Sequence, residues 1–143
     1  MSRIAVVFSR AHNLGSLGLR TAMWSPWSHC GLVMDDVIVE ATARYGVRRI
    51  GLQSMMEYAS RTEIIFLPCV DPVVAYAAAE SQIGKPYDWG MVVGHPFRQD
   101  WEDTNKWSCS ELVAWAIQEG GTELFRTKAG RITPYHLYLP RFV

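Results

Sequence analysis

Residues 107–121 write both ends of one helix into the chain. In Ser108-Cys109-Ser110-Glu111 the serine is an N-cap and the glutamate three positions on completes a capping box, so the helix opens at Cys109. Leu112-Val113-Ala114-Trp115-Ala116-Ile117 carries it forward, and Gly120-Gly121 ends it. Cys109, Leu112, Val113 and Ala116 fall on one stripe. A helix of about 109–119 with such a stripe must be buried against other elements, which makes it the pivot of any fold.

Those elements are legible in outline. Ile4 to Phe8 is a short β-branched run and reads as a buried strand. Ser28 to Met34 and Val37 to Ala41 flank Asp35-Asp36 and predict a β-hairpin. Leu52, Met55, Met56 and Ala59 recur at helical spacing over 52–60, and Ile64 to Cys69 reads as a further strand. Asp71-Pro72 supplies an N-cap and an N1 proline for a helix over 72–83 closed by Gly84. Residues 13–23 are ambiguous because of Gly15 and Gly18, residues 84–107 read as a long loop, and the tail with Pro134 and Pro140 reads as turn. The expected class is α+β in one domain over 1–143, an antiparallel sheet packed against the helix that starts at Cys109.

Composition excludes several functions. Fourteen Lys and Arg balance fourteen Asp and Glu, so no basic face points to nucleic acid or a polybasic membrane clamp. The apolar run Ile4 to Phe8 is too short for a secretory signal, and Val73 to Ala79 is far below a membrane span. The expectation is a cytoplasmic chain with reduced thiols and no integral membrane segment. Three cysteines, Cys30, Cys69 and Cys109, are too few for a disulfide framework.

Cys109 is the one with a reason to react. At a helix start the free N–H groups and the helix dipole favour negative charge, populating thiolate. The same N–H groups can serve as an oxyanion hole. A small buried core residue fits that stripe as well, and both readings stand at this point.

A thiolate nucleophile takes a histidine base oriented by a third polar group. Among His12, His29, His95 and His136, the one on the hairpin is His29, and Glu40 lies near the end of the second strand. With a two-residue turn at Asp35-Asp36, Met34 opposes Val37 and Gly31 opposes Glu40. His29 is then a diagonal neighbour of Glu40 on the same face, and Gly31 leaves room for the contact. A three-residue turn would put Glu40 on the other face. By the same alternation Cys30 is expected to point away from the site. No CxxC, HxxxH or HExxH spacing occurs and no phosphate-binding glycine loop is present, so neither a metal nor a cofactor is expected.

Two segments carry a resemblance. Ile83-Gly84-Lys85-Pro86-Tyr87-Asp88-Trp89-Gly90 followed by Trp107-Ser108-Cys109-Ser110-Glu111-Leu112-Val113 resembles the NlpC-type papain-like cysteine hydrolases. Because Trp27-Ser28-His29-Cys30-Gly31-Leu32-Val33 and Val39-Glu40-Ala41 precede the cysteine, the order resembles the circularly permuted branch. That branch includes lecithin:retinol acyltransferase-like proteins, and Ile132-Thr133-Pro134 is similar to its closing motif. The resemblance implies a permuted papain-like core with Cys109 as nucleophile, His29 as base and Glu40 as orienting residue. It also implies that Tyr87 lies beside the reacting carbonyl. Glu111 departs from the glycine common at that position in the family.

The expected activity is hydrolysis of an amide through an acyl-thioester, on a peptide, glycopeptide or cell-wall peptide. Acyl hydrolysis or transfer on a lipid ester shares the residues, and a non-catalytic binding module shares the fold. Trp27, Trp89 and Trp107, with Trp24 and Trp101, flank the motif segments and are candidate walls of a substrate cleft. A cell-wall substrate would require delivery by a phage or a secretion machine. The sequence sets no oligomeric state.

Overall fold

The computed structural model describes residues 2–10, 27–88, 106–124 and 134–138. The expectations for 13–23, for His12, His95, Trp24, Trp89 and Trp101, for most of the 84–107 loop and for Ile132-Thr133 lie outside the described residues. In chain order the elements are β1 (Arg3–Arg10), β2 (His29–Met34), β3 (Val37–Thr42), β4 (Gly46–Gly51), α1 (Leu52–Tyr58), β5 (Arg61–Pro68), α2 (Pro72–Glu80), α3 (Cys109–Glu119) and α4 (Pro134–Tyr138).

The strands form one sheet in the order β4-β3-β2-β1-β5, with every neighbouring pair antiparallel. The class is α+β. Asp35 and Asp36 take φ of 50° and 61°, the two left-handed positions of a tight hairpin turn, which pairs Met34 with Val37. Alternation then sends Val6, Phe8, Cys30, Leu32, Val39 and Ala41 to one face, where they form the main core with Leu112, Val113, Ala116 and Ile117. Val7, Ile38 and Met55 cluster on the other face. Each fully buried aliphatic side chain contributes about 1.5–3 kcal/mol relative to exposure. The packing of α3 on β2, β3 and α2 therefore anchors the helix start that carries Cys109.

The helix ends follow from local chemistry. Ser108 Oγ accepts from the Glu111 N–H at 3.3 Å, and Asp71 Oδ1 accepts from the Val74 N–H at 3.1 Å. α2 stops at Glu80 rather than at 83. Beyond it Gln82 and Ile83 donate to carbonyls three residues back, and Gly84 turns at φ 98°.

Three further expectations are corrected. β4 is a strand that the sequence reading passes over; it continues the hairpin after a turn at Thr42–Gly46. The tail forms a short helix, α4, whose proline sits at the first helical position and so breaks nothing. In α1 only Met55 is buried and Met56 is exposed, so the helix covers less of the sheet than its pattern implied.

Candidate active site

Gly31 shapes the floor of the site. A Cβ there would stand 2.6 Å from Ile38 Cγ2 and 3.3 Å from Glu40 Cβ. Only a residue without a side chain lets β2 and β3 close at this point. Across that gap His29 Nε2 donates to Glu40 Oε1 at 3.0 Å, the diagonal contact that the two-residue turn predicts. Glu40 is fully buried. Its second oxygen accepts from Arg48 Nε at 3.0 Å, and Arg48 lies directly opposite on β4.

The His29 ring and the Cys109 side chain at the start of α3 lie close enough to shift each other's protonation. His29, Glu40 and Arg48 thus form one hydrogen-bonded line across β2, β3 and β4, with Cys109 near its His29 end. Burial pulls the His29 pKa down, but Cys109 and then Glu40 outweigh it and push it up to about 10. Burial likewise opposes ionisation of Glu40, yet His29 and Arg48 hold its carboxyl below the usual range.

Cys109 is held well below an ordinary thiol. The hydrogen bond from the Cys30 thiol is the largest cause; burial opposes it, and His29 and the Cys30 backbone N–H add to it. This corrects the expectation that Cys30 points away from the site. Alternation does send Cys30 to the face opposite His29, but that is the face α3 packs on, so Cys30 and Cys109 share one buried core. Burial, followed by the neighbouring Cys109, pushes the Cys30 thiol up, so it stays a proton donor.

Tyr87 reaches the same place by another route. Residue 85 is tied to β4 through Val47 N–H to Lys85 O at 2.8 Å. Tyr87 then bridges Trp107 in parallel, with Asp88 N–H to Trp107 O at 3.0 Å and Trp107 N–H to Pro86 O at 3.1 Å. The strap closes two residues before Cys109. Burial first, then the charges of Cys109 and Cys30, keep the Tyr87 hydroxyl protonated.

The tryptophans divide. Trp27 packs with Phe8 and Tyr138 at centroid distances of 6.1 and 5.5 Å, in the core. Trp107 is buried, donates from Nε1 to Gln82 Oε1 at 3.0 Å and packs against Trp115 in a tilted pair with ring centroids 4.9 Å apart. Both are occupied in packing, and Trp89 lies outside the described residues. Cys69 stands apart, its sulfur directed at Gly120 O.

No protein-family model matches the chain, and no curated protein matches its sequence. Among solved structures the chain is similar to the crystal structure of metalloprotein yiiX from Escherichia coli O157:H7, assigned to DUF1105. The match has a TM-score of 0.65 and 21% identity, and covers 86% of this chain and 68% of that one. The likeness is one of fold. Among the described residues no helix is long and apolar enough to cross a membrane.

Proposed function

We propose that this chain is a cysteine hydrolase with a permuted papain-like arrangement, acting on an amide through an acyl-thioester on Cys109. One observation carries the reading: a helix-start cysteine, its pKa pulled down in part by a nearby histidine, lies beside that histidine, which is hydrogen-bonded to a fully buried carboxylate. Such a constellation orients and charges a nucleophile and its base together. The resemblance to the NlpC-type branch names the same three residues.

The chemistry follows from the roles. Cys109 S⁻ attacks the carbonyl carbon. Ser108 already takes the N–H of Glu111 and, through its carbonyl, that of Leu112. The N–H groups of Cys109 and Ser110 are those a helix start leaves for an oxyanion. With Nε2 committed to Glu40, Nδ1 is the His29 nitrogen left to deliver a proton to the leaving amine. His29 then takes a proton from water, the resulting hydroxide releases the acid, and the thiolate–imidazolium pair is restored. Tyr87, whose hydroxyl stays protonated under burial and the nearby charges of Cys109 and Cys30, matches the tyrosine that the family resemblance puts beside the reacting carbonyl.

The structural neighbour yiiX is described as a metalloprotein, so a metal is the rival reading. Among the described residues no group of three or more His, Cys, Asp or Glu side chains could hold a metal ion. Arg48, already a cation, occupies the free oxygen of Glu40. These residues do not fit a metal, and no step passes through one.

The test uses p-nitrophenyl acetate, an activated ester with the smallest acyl group. The expected result is a burst of one equivalent of nitrophenolate per chain with an acetyl group on Cys109 by peptide mass spectrometry. Cys109→Ala should give neither. Acetyl found only on lysines, or a burst that survives Cys109→Ala, overturns the reading. Peptide amides and phospholipid offered side by side then separate amidase from lipid acyl hydrolase.

A further inference from the structure

We propose that Arg48 is a positioning residue of this site, fixing the Glu40 carboxylate ionised and in orientation so that His29 is held against Cys109. The inference rests on the Cys109–His29 reading above and extends it by one residue on β4.

Glu40 needs such a partner. A fully buried carboxylate without enough positive charge around it takes up a proton and ceases to hold an imidazolium. Among the described residues, the titratable and charged groups around Glu40 are His29 from β2, Arg48 from β4 and Tyr58 at the end of α1, with Cys30 on the opposite face of β2 and Cys109 of α3 beyond His29. In this set Arg48 carries the charge that no step of the reaction moves. His29 cannot supply that constancy, because its proton is the one the reaction moves.

The geometry suits positioning. Arg48 approaches Oε2 from directly across the β3–β4 pair, while His29 takes Oε1, so the two bonds fix the carboxylate plane from opposite sides. Arg48 is itself held. Its guanidinium lies 4.5 Å over the Tyr45 ring, and Tyr45 N–H donates to Thr42 Oγ1 at 3.0 Å in the turn between the strands. The hairpin turn thereby sets the arginine, the arginine sets the carboxylate, and the carboxylate sets the imidazole.

The experiment follows the rate of Cys109 alkylation by iodoacetamide in the intact chain against pH, resolved by peptide mass spectrometry with Cys69 as internal control. It compares wild type with Arg48→Gln, which loses the charge, Arg48→Lys, which keeps it, Glu40→Gln, and the Arg48→Gln/Glu40→Gln pair. Arg48→Gln should move the acid limb of Cys109 reactivity to higher pH, with a loss of about tenfold at pH 5, the factor that 1.4 kcal/mol represents. Arg48→Lys should leave the limb in place. In the Glu40→Gln background Arg48→Gln should add less than about twofold, because two residues acting through one group are not additive. The positioning role is overturned if Arg48→Gln superimposes on wild type, if Gln and Lys shift the limb equally, or if the tenfold loss persists without Glu40. A wild-type Cys109 that labels only on unfolding, like Cys69, overturns the Cys109–His29 reading and this inference together. A reactive wild type with an unchanged Arg48→Gln overturns the positioning role alone.

Discussion

Glu40→Gln tests the electrostatic centre of the site with almost no change in volume. The wild-type carboxylate is fully buried and accepts two hydrogen bonds of 3.0 Å, from His29 and from Arg48. Removing one member of a buried ion pair costs about 3–5 kcal/mol, since the partner stays charged without compensation. Here the His29 and Arg48 side chains are 19% and 28% exposed, so water offsets part of the loss. Glutamine also keeps one acceptor oxygen. The expectation is therefore the low end, about 3 kcal/mol. For a chain of this size that lowers Tm by about 6–12 °C.

The pH dependence makes the test specific. Glu40 has a lowered folded pKa, so its contribution is present above the unfolded value near 4.5 and is lost as pH falls through the folded one. His29 is raised from 6.5 to about 10, so its contribution is complete below 6.5 and is lost as pH rises toward 10. The Tm gap between wild type and Glu40→Gln should thus be widest between about pH 4.5 and 6.5 and narrow on both sides. Differential scanning calorimetry across pH measures it. A gap that is flat with pH, or below about 1 kcal/mol throughout, would falsify the claim that His29 and Arg48 are held by the Glu40 charge.

Cys30→Ala removes the neighbouring thiol that most lowers the Cys109 pKa, so the pH at which Cys109 ionises should rise, read from thiolate absorbance or alkylation rate; Cys30→Ser, which keeps a polar hydrogen there, should fall between the two. An unchanged titration would show that the Cys30 thiol does not set the charge on Cys109. Ser108→Ala deletes the N-cap of α3 and should cost about 1 kcal/mol, a Tm drop of about 2–4 °C by circular dichroism; no drop would mean that Ser108 Oγ does not stabilise the helix start.

What the sequence made legible, and what it hid, divides along the line between local and tertiary information. The α3 start needed only Ser108 and Glu111, and the β2–β3 register needed only two consecutive residues able to take positive φ. Those local facts are enough to place His29 beside Glu40. Cys30 escaped because alternation tells which residues share a face but not which face a distant helix covers; that is settled by the packing of Leu112, Val113 and Ala116 on the Phe8–Leu32 side. Arg48 escaped for a related reason. Val47-Arg48-Arg49-Ile50 has two adjacent charges, which masks a strand, yet each arginine meets its own acid: Arg48 pairs with Glu40 and Arg49 with Glu80 on α2. Once Thr42 is paired with Gly46, the count of residues puts Arg48 opposite Glu40 without any further choice. A buried acid in an apolar strand is therefore a reason to look for the next strand and read off the residue across from it, because that acid cannot remain ionised alone.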